Sequence, residues 1–281
     1  MYPAGVPGIR ARVVTLASGV GLRVVEAGRE TGTPLILIHG WGACVYTFRH
    51  QLRDLEASSR RVIAFDQRGH GLSDKPVSRG SYATNALVED LRELMDALQI
   101  DRADLLGHSL GGAVALHFTL AHRSRVRRLV LAAPVGLTSV ALPAIGHLLT
   151  PRFTDRFARF LTPRLLTEFL LRSTYGNPRR VTKQDIDEYW APSQFPDYYR
   201  AARALLEEFD WNALSSRQLA SLDHSSLVIL GTADRLIRGA EPAATTIPKS
   251  KLVQLQGAGH LGVEECAREF NRALMTFLDP S

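Results

Sequence analysis

The chain has 281 residues, 45% of them hydrophobic, and a formal net charge of +6. That length suits one catalytic domain with room for an insertion, and the apolar share is enough for a large core. The Lys and Arg residues are scattered, with no basic stripe and no nucleic-acid motif, so the charge reads as a solvated surface and argues against a nucleic-acid partner.

Arg10 to Leu16 and Leu22 to Ala27 alternate polar with apolar residues, which predicts an antiparallel opening pair joined at Ser18-Gly19. Pro34-Leu35-Ile36-Leu37-Ile38 is a continuous apolar run ending at His39-Gly40, as suits a strand buried on both faces of a parallel sheet. Arg61 to Phe65 is the next such run, ending at Asp66. Asn85 to Leu98 places Leu87, Leu91, Leu94, Met95 and Leu98 at helical spacing. Ala103 to Leu106 reads as a strand, Leu110 to Ala121 as a helix, and Val126 to Ala132 as another strand. From Gly136 to about Asp223 no strand pattern is visible. Helical stretches there are punctuated by Pro143, Pro151, Pro163, Pro178, Pro192 and Pro196. Strand grammar returns at Leu227–Gly231 and at Lys251–Leu255, and Arg268 to Leu278 closes as a helix. Strands alternating with helices predict an α/β fold with a mostly parallel sheet. The boundaries that follow are a core of residues 1–135 and 224–281, interrupted by a helical cap over 136–223.

Ser109 is the residue with the most to say about chemistry. It sits in Gly107-His108-Ser109-Leu110-Gly111, a G-x-S-x-G pentapeptide between a predicted strand and a predicted helix. That order is what a strand-turn-helix elbow needs to point a hydroxyl out of the fold. A serine hydroxyl is a weak nucleophile and requires a base, which in turn requires an orienting acid. Of nine histidines, His260 alone follows a late strand in a Gly-rich loop, Gln256-Gly257-Ala258-Gly259-His260-Leu261. His50, His117, His122, His147 and His224 lie on or beside helical segments. His39, His70 and His108 lie in motif loops, where bonds to backbone are the expected role. Asp234, in Leu230-Gly231-Thr232-Ala233-Asp234, lies just past a strand end, where functional residues of open α/β sheets gather. The rival position after Val126–Ala132 is Ala133-Pro134-Val135-Gly136, which has no carboxylate. The predicted catalytic set is therefore Ser109, Asp234 and His260. The expected oxyanion donors are the backbone N–H groups of Trp41 and Leu110. Trp41, His108 and Leu261 are expected to touch substrate. Asp66 through Asp74 reads as a polar structural loop bracing the oxyanion turn. It has neither a phosphate-loop signature nor a paired-histidine metal pattern.

These motifs resemble the α/β-hydrolase fold superfamily, in its serine-nucleophile branch with an HG pair and a helical cap. The matching stretches are His39-Gly40-Trp41-Gly42, Asp66 to Asp74, Gly107 to Gly112, Gly231 to Asp234 and Gly257 to His260. The resemblance implies an eight-stranded, mostly parallel sheet with helices on both faces. It also implies triad catalysis with no cofactor and no metal. Within the superfamily, Ser109 argues against epoxide hydrolases and haloalkane dehalogenases, which carry an aspartate at the elbow. Trp41-Gly42-Ala43-Cys44 replaces the Ser-Gly-Pro-Gly-like stretch usual in C–C hydrolases, and the pattern of cofactor-free perhydrolases is only partly matched. The expected activity is carboxylic-ester hydrolysis of a small molecule through an acyl-enzyme. The alternatives are a C–C bond hydrolase of vinylogous diketones, a perhydrolase or lactonase, and a non-catalytic binding member.

The cap is read as the seat of specificity. Leu148, Leu149, Phe153, Phe157, Phe160, Leu161, Leu165, Leu166, Phe169 and Leu170 make it apolar. Arg152, Arg156, Arg159, Arg164, Arg172, Arg179 and Arg180 make it basic, a pattern compatible with weak contact to a membrane surface. Cys44 and Cys266 form no disulfide framework. The opening residues show no secretory leader, and no apolar run approaches the ~18 residues of a spanning helix. A cytoplasmic monomer or homodimer is the expectation.

Overall fold

The computed structural model describes residues 1–140 and 164–279. Its frame is built from β1 (Arg10–Thr15), β2 (Gly21–Gly28), β3 (Thr33–Ile38), β4 (Arg60–Phe65), β5 (Ala103–His108), β6 (Val126–Ala132), β7 (Ser226–Gly231) and β8 (Ser250–Leu255). All eight join one sheet in the order β1-β2-β4-β3-β5-β6-β7-β8. β2 runs antiparallel to both β1 and β4, and every other pair is parallel. The opening hairpin, the parallel sheet and each predicted strand are thus present, with ends within a residue or two of the expected positions.

The apolar runs explain the layers. Successive side chains of a strand point to opposite faces, so a strand apolar at every position must be covered on both. Ile36 and Ile38 of β3 join Ile63, Leu105 and Leu129 in one core layer, against α2 (Thr84–Ala97) and α3 (Leu110–Ala121). Leu35 and Leu37 join Val62, Ala64, Leu106 and Val130 in the other, against α1 (Arg49–Asp54) and the final helix (Ala267–Leu278). α1, with the sequence RHQLRD, has too little apolar periodicity to have been foreseen.

Between β6 and β7 the described residues contain helices and no strand. These are α4 (Arg164–Thr174), α5 (Lys183–Trp190), α6 (Tyr198–Glu208) and α7 (Ser216–Ala220). α5 and α7 each start at a capping box, Thr182 with Asp185 and Ser215 with Gln218. The core resumes with α8 (Glu241–Thr246), α9 (Gly262–Glu265) and α10 (Ala267–Leu278). Leu148, Leu149, Phe153, Phe157, Phe160, Leu161, Arg152, Arg156 and Arg159 lie outside the described residues. Among the described residues, no helix is long and apolar enough to cross a membrane.

One buried ion pair ties the sheet to the chain's last helix. Arg60 opens β4 and Asp104 lies in β5, on either side of β3. Arg60 Nη1 donates to Asp104 Oδ2 at 2.7 Å, and Nη2 donates to the Leu278 carbonyl at 2.8 Å and to Asp279 Oδ1 at 2.7 Å. Asp104 is fully buried. Removing one partner of such a pair strands the other charge, whereas replacing both with apolar groups is close to neutral. Arg60→Met is therefore expected to cost about 3–5 kcal/mol in urea unfolding. The double variant Arg60→Met/Asp104→Leu should recover most of that loss.

Candidate active site

The polypeptide leaves β5 at His108 and enters α3 at Leu110, so Ser109 must turn the whole corner. It does so at φ 54° and ψ −119°. This is a left-handed conformation that costs a non-glycine residue about 1–3 kcal/mol and persists only where the surroundings enforce it. The Ser109 N–H donates to the Ala132 carbonyl at 3.0 Å. The Ser109 carbonyl accepts from Gly112 at 2.9 Å and Val135 at 3.0 Å. The flanking glycines are there for close approach. A Cβ on Gly107 would lie 2.2 Å from the Gly111 oxygen, and one on Gly111 would lie 2.0 Å from the Ile38 oxygen.

His260 follows β8 and Asp234 follows β7. His260 Nδ1 lies 2.9 Å from Asp234 Oδ2. A carboxylate only accepts, so the proton of that bond sits on Nδ1, and in the neutral ring the lone pair then lies on Nε2. The other oxygen of Asp234 accepts from the Leu236 N–H at 2.7 Å and the Ile237 N–H at 3.0 Å. Burial alone pushes this carboxyl upward. The hydrogen bond and charge of His260, with the two backbone donors, outweigh it and hold Asp234 below the usual carboxylate range.

The turn after β3 faces this pair. A Cβ on Gly40 would lie 2.9 Å from Ser109 Cβ and 3.4 Å from its Oγ, so the chain passes directly over the hydroxyl. His39 holds that turn. Its Nε2 accepts the Gln67 N–H at 3.0 Å, so its Nδ1 is the protonated nitrogen and donates to the Gly40 carbonyl at 2.8 Å. Gln67 Nε2 returns a bond to the His39 carbonyl at 2.6 Å. Asp66 organises the loop behind, accepting from the Val45 and Leu72 N–H groups at 2.7 and 2.9 Å. The Asp66–Asp74 loop therefore contacts the turn that carries Trp41, as its expected bracing role requires. Among the described residues, neither the Trp41 nor the Leu110 backbone N–H meets a protein acceptor.

All three motif-loop histidines bond backbone. His70 Nδ1 contacts the Arg68 carbonyl at 3.1 Å, and His108 Nε2 contacts the His260 carbonyl at 3.0 Å. Burial, with the neighbouring His39, pushes His70 down to about 3. Burial, with the neighbouring His260, does the same to His108. Neither carries charge near neutral pH. His108 Nδ1 is buried without a hydrogen-bond partner among the described residues.

A cavity of about 500 Å³ opens on Ser109 and His260. Gly40, Trp41, His108 and Leu261 also line it, so the expected substrate-contacting residues share one space. Asp234 stands behind His260. The Leu110 side chain is buried in the core, leaving only its N–H to the site. The Trp41 indole N–H donates to the Ala202 carbonyl of α6 at 3.1 Å, which fixes the ring against the inserted helices. Of the apolar α4 residues expected to bear on specificity, Leu166, Phe169 and Leu170 line the cavity and Leu165 does not. Tyr189, Tyr198, Tyr199, Leu236 and Ile237 line it too and were not foreseen. Helical periodicity in α4 was a usable signal for its wall, but the tyrosines reach the cavity only through the packing of separate helices. Among the described residues Arg235 is the only Lys or Arg on the lining, and no cluster of His, Cys, Asp or Glu could hold a metal ion.

Comparison with known proteins agrees with this architecture. The profile of the α/β hydrolase fold family matches residues 33–266. The dihydrolipoyllysine-residue acetyltransferase component of an acetoin cleaving system from Pseudomonas putida is 31% identical over 92% of this chain, which spans 66% of that relative. The 2-hydroxymuconate semialdehyde hydrolase of Pseudomonas putida is 30% identical, over 92% of this chain and 94% of its own length. A solved meta-cleavage product hydrolase from Pseudomonas fluorescens IP01 superimposes with a TM-score of 0.81 at 24% identity, covering 95% of this chain and 97% of the other, a likeness of fold. With its sheet order, its serine at the β5–α3 corner and a family profile spanning most of its length, this chain belongs to the α/β hydrolase fold family.

Proposed function

We propose that the chain is a serine hydrolase of carboxylic esters, acting through a Ser109–His260–Asp234 triad and an acyl-enzyme. The observation that carries this reading is the strained Ser109 on the cavity wall, which it shares with an imidazole whose Nδ1–H is committed to Asp234. In this reading His260 Nε2 takes the Ser109 proton as Oγ attacks the ester carbonyl. The negative charge that develops on the carbonyl oxygen is received by the Trp41 and Leu110 N–H groups, the second of them at the positive end of α3. His260 then gives the proton to the departing alkoxide, and the alcohol leaves. Water enters and loses a proton to the same nitrogen as its oxygen bonds to the acyl carbon, and the acid leaves as that proton passes to Ser109 Oγ. Asp234 stays ionised throughout and holds the imidazole in the required tautomer. No cofactor takes part in these steps. We also assign residues 136–223 the role of a lid over a core of 1–135 and 224–281, because α4, α5 and α6 supply much of the cavity lining.

The lining favours an uncharged substrate with an apolar acyl or alkyl group. Trp41, Val135, Leu166, Leu170, Leu236 and Ile237 line the cavity with Ser109, and no buried cation stands on the lining among the described residues. Similarity to a 2-hydroxymuconate semialdehyde hydrolase supports a second reading, C–C bond cleavage of a vinylogous diketone by the same serine. A parallel screen of p-nitrophenyl esters and vinylogous diketones with one preparation separates the two.

Ser109→Ala should abolish turnover of p-nitrophenyl esters while circular dichroism stays that of the parent, and undiminished turnover would refute the serine mechanism. Asp234→Asn should lower kcat by about 10⁴-fold, because the amide no longer selects the Nδ1–H tautomer.

The lowered Asp234 carboxyl also predicts how stability depends on pH. A carboxyl held lower in the folded than in the unfolded chain stabilises above its unfolded pKa, and the benefit fades as pH falls through the folded value. The parent's thermal-stability advantage over Asp234→Asn should be constant well above pH 3.8, the ordinary carboxyl value. It should shrink below that pH. An advantage that grew as the pH fell below 3.8 would contradict the lowered carboxyl.

A further inference from the structure

We propose that Glu265 is a positioning residue for the catalytic base, fastening the loop that carries His260 to the end of helix α4. The inference rests on the reading of His260 as the base. Glu265 is 8% exposed and its carboxylate accepts three backbone N–H bonds, none from its own helix α9. Oε2 accepts from Gly259 at 2.8 Å and from Gly176 at 2.9 Å, and Oε1 accepts from Asn177 at 2.6 Å. Gly259 is the residue before the base. Gly176 and Asn177 lie just beyond Tyr175, past the end of α4 at Thr174. One carboxylate thus bridges two segments far apart in sequence.

Everything around the bridge acts in the same sense. The His260 N–H itself donates to the Thr174 carbonyl at 2.7 Å, so the base hangs by its own backbone from the last residue of α4. Arg180 Nη1 donates to the Glu265 carbonyl at 2.7 Å. Leu261 packs with Leu171, Tyr175, Val181 and Ile186 in a small apolar cluster set between the inserted helices and the base loop. The two segments are pressed together so closely that a Cβ on Gly176 would lie 1.9 Å from the Gly257 oxygen, and one on Gly259 would lie 2.3 Å from the Thr174 oxygen.

The functional consequence follows from where α4 lies. Leu166, Thr167, Leu170, Leu171 and Thr174 line the cavity, and the far end of the same helix holds the base loop. Asp234 fixes the tautomer and tilt of the imidazole, and Glu265 ties the backbone that carries it to the lid at Gly176 and Asn177. A substrate that packs against α4 therefore bears on the part that positions Nε2. An error of about 1 Å in such a position costs on the order of 100-fold in rate.

The test compares the parent with Glu265→Ala, Glu265→Gln and Gly176→Ala. Glutamine keeps one oxygen for Gly259 and Gly176 but turns its NH₂ against the Asn177 N–H. The alanine at 176 attacks the same seam from the lid side. Three readouts are taken well below the melting temperature: kcat and KM on p-nitrophenyl acetate, the rate of Ser109 labelling by a fluorophosphonate, and the low-field proton resonance of His260 Nδ1–H. The expected result is a fall in kcat of on the order of 10- to 100-fold for Glu265→Ala with KM within about 2-fold of the parent. Glu265→Gln should be intermediate, Gly176→Ala should resemble Glu265→Ala, and the Nδ1–H resonance should shift or broaden in each. A merely structural bridge would lower the melting temperature and leave kcat and the resonance at parent values, and that result overturns the proposal. If Glu265→Ala fails to fold, the glutamine and Gly176 variants decide by the same readouts. Failure of the parent itself to label at Ser109 would count against the serine mechanism, whereas normal labelling of the parent with unchanged variants counts against the Glu265 role alone.

Discussion

The rest of the site depends on how closely α3 begins against the end of β3. The oxygen of Ile38 leaves no room for a Cβ on Gly111. Beside that contact the chain turns within a single residue, Ser109, at a positive φ. It also brings the turn at Gly40 over the serine hydroxyl and sets the Leu110 N–H at the mouth of the helix. The strain at Ser109 is carried by ordinary backbone bonds to Ala132, Gly112 and Val135, which lie on the neighbouring strand, the helix and the following loop. An interaction worth little on its own is thereby replaced by one that several elements enforce together.

Around this corner, side chains do the work that strand ladders do elsewhere. Loop backbone beyond the strand ends has no sheet partner, yet it is buried and must be satisfied. His39, Gln67 and Asp66 meet that demand with hydrogen bonds to main-chain groups. The imidazoles of His39, His70 and His108 are driven toward the neutral form by burial, which suits rings that each use one nitrogen to contact a carbonyl. His260 differs in having a carboxylate on Nδ1 and the cavity before it.

The inserted helices are joined to the core through a polar seam as well as an apolar one. Arg49 of α1 pairs with Asp185 of α5 at 2.9 Å and with Glu264 of α9 at 2.5 Å. Tyr46 donates to Asp185 at 2.8 Å, Tyr175 donates to Glu264 at 3.0 Å, and Tyr189 donates to the other Glu264 oxygen. Desolvation pushes Glu264 upward, against the pull of Arg49 and the Tyr189 hydroxyl. Where desolvation offsets attraction in this way, buried pairs add little strength, but their directional bonds define how two parts fit. Tyr189 also lines the cavity, so the fit of the helices and the shape of the pocket are decided by the same residues.

Local pattern was enough for the strands and most of the long helices, and it singled out Ser109, Asp234 and His260 as candidates. The five-residue apolar run Pro34–Ile38, bounded by Gly32 and Gly40, reads as a strand covered on both faces, and Leu87, Leu91 and Leu94 recur at helical spacing, because each periodicity is a property of neighbouring residues. Ser109, Asp234 and His260 were legible because strand ends and glycines mark where a side chain can reach a shared space. The strand order, the short polar helix α1 and the tyrosines of the cavity were not legible, since they depend on contacts between segments far apart in the chain. Glu265 is the clearest case. In sequence it is one acidic residue five positions after a histidine, with nothing to set it apart. Only when the end of α4 comes to lie against the base loop do three N–H groups, from Gly259, Gly176 and Asn177, converge on its carboxylate.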